Sequence, residues 1–218
     1  MRILRIITYP LLVILLYAGI KELIPILAWT IKHLNIYMWM FIGFIVFIGL
    51  TFIPLYRKNS GLLETLSHEL SHAAIGILFF RQIHSLNATG HQGGMITHSG
   101  ARFGDLFISL APYCLPLFTI PFLLLRPLST RVGLPWFDFI IGFTLAFHVV
   151  CFLKQTSPHQ PDLRNHGLPL SFLFIISFLI MNLEIIFMSI RLNVFKGTAT
   201  LFSNYWNEIS RLFTVLFT

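Results

Sequence analysis

Leu66-Ser67-His68-Glu69-Leu70-Ser71-His72-Ala73 sets three ionisable side chains inside residues 62–80, a run that otherwise reads as a membrane helix. On a helix, residues four apart lie one turn apart on the same face. His68 and His72 can therefore offer two imidazole nitrogens to one metal ion. Glu69 stands beside them, placed to handle a proton on a water activated at that metal. Ionisable groups are costly inside lipid and by default mark function there. The competing reading is a helix end whose His and Glu merely face headgroups.

Outward from this stretch, the 218 residues are 56% hydrophobic and 11% charged, with 23 Phe. A soluble domain of this length is excluded by such a composition. The apolar residues come in long runs, which favours helical spans over the alternating strands of a barrel. The fold class expected is an all-α polytopic membrane protein of about six helices, at roughly 20 residues per span. The net charge of +7 is spread over loops and ends. It reads as topology signal and headgroup contact, with no nucleic-acid partner. Cys114 and Cys151 lie in apolar runs without CxxC spacing, as buried free thiols do.

Three regions follow. Residues 1–61 hold N-terminal membrane helices: a retained anchor from residue 6, an interruption of the pattern at Lys21-Glu22 and Pro25 after which 23–31 either continue a long tilted helix or lie at the interface, and a clear span at 34–56. A short basic loop is expected at 57–61. Residues 62–190 form the core around the motif. Within it, residues 81–104 carry five Gly and cannot be a helical span. They form a re-entrant segment or a short β-hairpin, with Gly93-Gly94 as a turn into a strand at Met95-Ile96-Thr97. Residues 106–125 carry Pro112, Pro116 and Pro121 and should be a kinked or broken span. Spans are expected at 134–153 and 168–190, with a polar loop between them. Residues 191–218 are an amphipathic tail whose Tyr205 and Trp206 suit an interface. Asp138 and Glu184 read as acids near helix ends with polar partners.

Residues 64–74, ETLSHELSHAA, resemble the motif helix of the site-2 protease family of intramembrane zinc metallopeptidases. The Gly-containing stretch at 91–97, Ala111-Pro112, and Gln160-Pro161-Asp162 extend the likeness over roughly residues 62–180. It is nearest to short bacterial members without a large extra domain. The resemblance implies one zinc ion per chain, held by His68, His72 and a downstream Asp, with Glu69 as general base. It implies a multi-pass protein of the bacterial inner membrane whose substrate is a transmembrane segment of another protein.

In that family the third ligand precedes a Gly. Asp162 is the nearest match, with Pro161 before it but Leu163 after it. If 106–125 and 134–153 both cross fully, Asp162 emerges on the face opposite His68. It reaches the metal only if the Pro-rich segment fails to cross or the loop is re-entrant. His148, near the depth of His72, is the alternative, since zinc accepts a third His as readily as a carboxylate. His91, His98, Asp105 and His159 are further candidates. Two other functions stay open. One is a metal transporter, although the inverted repeats such proteins tend to show are not visible. The other is a catalytically inactive family member that binds partners through its spans.

Overall fold

A computed structural model describes residues 2–89, 93–99 and 104–217, with side chains placed at 7–85 and 104–215. Helix α1 (Arg2–Lys32) runs without a break through Pro10 and Pro25. Of the two readings open for residues 23–31, the structure has the continuous helix. Helix α2 (Leu34–Leu50) ends short of the expected residue 56. The cause is local. Ile53 precedes Pro54 and is extended, at φ −76° and ψ 125°, because a residue before proline is crowded out of the helical region. The chain bends by 105° there and enters α3 (Pro54–Leu78) with Pro54 in its first turn. The basic loop expected at 57–61 is a correction: those residues are helical turns of α3.

Strands β1 (Gln82–Thr89) and β2 (Gly93–Ser99) pair antiparallel, Leu86 opposite Ile96. The short strand expected at Met95–Thr97 lies within β2, although Gly93 and Gly94 open that strand instead of forming the turn. The expected break among the prolines is present. Helix α4 (Asp105–Cys114) stops, residues 115–119 are not helical, and α5 (Ile120–Leu125) follows. A 3-10 turn (Arg126–Leu128) leads to α6 (Leu134–Gln155), the short α7 (Pro161–His166), α8 (Leu168–Leu192) and α9 (Val194–Phe217).

Among the described residues three helices are long and apolar enough to cross a membrane: Ile7–Lys32 of α1, α6 and α8. The bent α2–α3 pair qualifies as a fourth if counted as one span. That is fewer than the six expected. The bend before Pro54, which leaves α2 and α3 at most one span between them, and the short α4 account for the difference.

Helices α2 and α6 meet backbone to backbone, through Gly43 against Phe139 O and Gly142 against Met40 O. A second core joins α1, α4, α7 and α8 through Leu12, Leu110, Tyr113, Leu163 and Phe174. Leu163 is fully buried, which contributes about 2 kcal/mol and fixes α7 against α8. Ser171 Oγ donates to Leu163 O at 2.9 Å and fastens the same contact. Helix α9 leaves Phe195 and Trp206 exposed but buries Leu201 and Tyr205 against α1 and α8, so Tyr205 packs in the core instead of at the interface expected for it. Asp138 has its polar partner: Arg126 Nε and Nη2 donate to its two oxygens at 2.6 and 3.2 Å. Glu184 accepts from Tyr205 OH. Both cysteines are free and buried.

Candidate metal centre

Helix α3 turns its polar side inward. Ser60, Glu64 and His72 are buried and His68 is half-buried, four residues apart in sequence. Leu55, Leu62 and Leu78 on the same helix are exposed. A period of four keeps the inward residues on one slowly turning stripe. The two imidazoles come to 4.9 Å between ring centres. Glu69, one position past His68, is buried and within electrostatic range of His72, His68 and Asp162.

Asp162 joins them from the far end of the sequence. It sits in the first turn of α7, where the helix dipole favours a carboxylate. Its Oδ2 lies 3.4 Å from His68 Nε2 and 3.5 Å from His72 Nε2. The three ligand atoms all lie within 4.8 Å of one another, the one such group among the described residues. Burial raises the Asp162 carboxyl, but the facing imidazoles outweigh it and hold it well below the usual carboxylate range. The group is thus an anion. Tyr113 OH donates to the same Oδ2 at 3.2 Å, and its ring stands edge-on to His68 at 5.3 Å.

The far sides of the imidazoles decide what the near sides offer. His72 Nδ1 is 2.7 Å from Ile108 O. A carbonyl only accepts, so Nδ1 carries a proton and Nε2 is the nitrogen turned towards Asp162 and available to a metal. His68 Nδ1 is 3.0 Å from Gln155 Oε1, while Gln155 Nε2 donates to Glu64 O at 3.1 Å. That second bond sets which end of the amide faces His68, so Nδ1–H is the donor here also. Two imidazole Nε2 atoms and a carboxylate then converge on one point, as the ligands of a single bound cation would.

Zinc fits this set. Ligand atoms about 2.1 Å from a tetrahedral ion stand about 3.4 Å apart, close to the separations of Asp162 from each imidazole. Each imidazole also donates its other N–H to an oxygen, as metal-bound histidines do.

The other candidates are not brought here. His148 lies in α6, buried, with Nε2 lacking a hydrogen-bond partner, and does not join the ligand group. Asp105 is paired with Arg81, and His159 is exposed. His91 and the side chain of His98 lie outside the described residues. Sequence reasoning did not single out Tyr113, Gln155 or the Ile108 carbonyl. Tyr113 directly follows the Ala111-Pro112 pair that carried part of the resemblance. No motif signals Gln155.

A family model described as Peptidase M50B-like matches residues 40–160. The match takes in α3 whole and stops two residues before Asp162. No curated protein and no solved structure matches the chain.

Proposed function

The chain belongs to the Peptidase M50B-like family of site-2 proteases, and we propose that it is an intramembrane zinc endopeptidase. It would hydrolyse peptide bonds in or near transmembrane segments of other membrane proteins. The observation that carries this reading is the meeting of His68, His72 and Asp162 at one point. Those residues would hold the ion and leave a fourth position open to solvent. Zinc bound there polarises a carbonyl and brings the pKa of a water towards about 7. Glu69 takes the proton from the attacking water and delivers it to the leaving amine nitrogen. Its place beside His68 on α3 puts the carboxylate at the edge of the ligand set. Asp162, the most exposed of the three ligands at 26%, marks the side by which water and substrate arrive.

A helical substrate hides its peptide bonds, so it must be unwound before cleavage. The β1–β2 hairpin follows α3 directly. An extended substrate segment could add to it as a further strand, held by main-chain hydrogen bonds.

The test is zinc per chain in detergent-purified protein, beside cleavage of a reconstituted single-span substrate. Wild type should carry about one zinc, lost in His72→Ala and Asp162→Ala. Glu69→Gln should keep the zinc and stop cleavage. Altered zinc flux through liposomes in Glu69→Gln, without cleavage by wild type, would favour a transporter. Wild type that purifies metal-free and cleaves nothing would favour a partner-binding member.

A further inference from the structure

Gln155 does more than end α6. It meets both α3's backbone and a histidine of the centre: Oε1 accepts from His68 Nδ1 at 3.0 Å, and Nε2 donates to Glu64 O at 3.1 Å. Glu64 lies one helical turn before His68, so the amide bridges successive turns of α3. Lys154 reinforces the same junction, its Nζ 2.6 Å from Glu64 Oε1. The chain then leaves α6 and reaches Asp162 seven residues later.

We propose that Gln155 is a positioning residue for the metal centre: its carboxamide holds His68 in the tautomer whose Nε2 faces the ion, and ties the end of α6 to α3 so that α7 delivers Asp162. This inference rests on the metal-site reading above. Its physical basis is asymmetry between the two imidazoles. His72 is oriented by the Ile108 carbonyl, main chain that no substitution removes. His68 is oriented by a side-chain amide, whose two ends must face opposite ways for the arrangement to work. Nε2 of Gln155 can only donate and Glu64 O can only accept. Anchoring one end therefore leaves only an acceptor for His68, and the Nε2–H tautomer would lose its partner.

Two variants separate this role from packing. Gln155→Met keeps length and removes donor and acceptor. Gln155→Glu keeps an acceptor for His68. Zinc affinity is measured by chelator competition on purified full-length protein. The tautomer of His68 is read by nitrogen-15 NMR on metal-stripped, histidine-labelled protein, its signals assigned with His68→Ala. Gln155→Met should bind zinc about 10- to 100-fold more weakly, the usual effect of losing such an outer partner. Gln155→Glu should recover most of that. In the metal-stripped state His68 should be the Nδ1–H form in wild type and Gln155→Glu, and a mixture in Gln155→Met.

Wild-type affinity in Gln155→Met, or equal losses in both variants, would overturn the proposal. Should wild type bind no zinc at all, the metal-site reading fails and the tautomer alone decides. A shift confined to Gln155→Met upholds the positioning role, and the same tautomer in all three proteins ends it.

Discussion

Replacing Gly142 with alanine drives a methyl group into the backbone of α2. An ideal Cβ at Gly142 would stand 1.8 Å from Met40 O, and one at Gly43 would stand 1.9 Å from Phe139 O. Carbon–oxygen contacts settle at about 3.3–3.6 Å, so the helices must part by roughly 1.5 Å. The blocking atoms are main chain on both sides, and no rotamer change relieves them. Small residues at such crossings let helices in lipid approach closely, where packing in place of the hydrophobic effect supplies the attraction. Overfilling a packed seam costs about 1–3 kcal/mol. Gly49, on α2 with Gly43, is the control: nothing lies within 4 Å of its Cβ position. Alanine there should be neutral or gain roughly 0.5–1 kcal/mol from helix propensity. The assay is thermal unfolding in detergent, followed by dye labelling of the buried thiols Cys114 and Cys151. Gly43→Ala and Gly142→Ala should each lower the midpoint, and the double variant by less than the two together, since one separation relieves both clashes. Zinc retention should fall in parallel, because α6 ends in Gln155 and metal ligands tolerate displacements of only about 0.2 Å. A Gly142→Ala midpoint equal to that of Gly49→Ala would refute the close crossing.

His148→Leu should keep its zinc and hold or raise the unfolding midpoint, because it removes a buried nitrogen without a partner and touches no ligand; zinc loss would return His148 to the ligand set. Tyr113→Phe should weaken zinc binding about tenfold, by the loss of one hydrogen bond to a charged group at about 1.5 kcal/mol, and chelator competition reads the change; unchanged affinity would show that the hydroxyl does not steady Asp162. Asp138→Leu should destabilise the protein by about 3 kcal/mol, by removing the charge partner of the largely buried Arg126 guanidinium and leaving it the Ser189 carbonyl. The Asp138→Leu/Arg126→Met pair should recover much of that loss in the same thermal assay.

What the sequence determined by itself was local. His68, Glu69 and His72 occupy one helix, so a four-residue spacing was enough to place two ligands on a common face and a carboxylate beside them. The strand at Met95–Thr97, the break among Pro112, Pro116 and Pro121 and the buried thiols likewise follow from short-range composition. Tertiary structure decided which carboxylate joins the two histidines. Asp162 lies 90 residues past His72, and whether it reaches the site depends on how much chain crosses between them. The apolar run at 106–125 looked long enough to carry Asp162 to the wrong side, yet α4 ends at Cys114. Leu163, buried among Leu110, Tyr113 and Phe174, then seats α7 so that Asp162 faces the imidazoles. The bend before Pro54 was half legible, since proline predicts the interruption but not that the basic residues after it resume the helix. Gln155 was not legible at all. A glutamine at a helix end carries no local signature, and its role arises only where α6 meets α3 next to a histidine whose tautomer it sets.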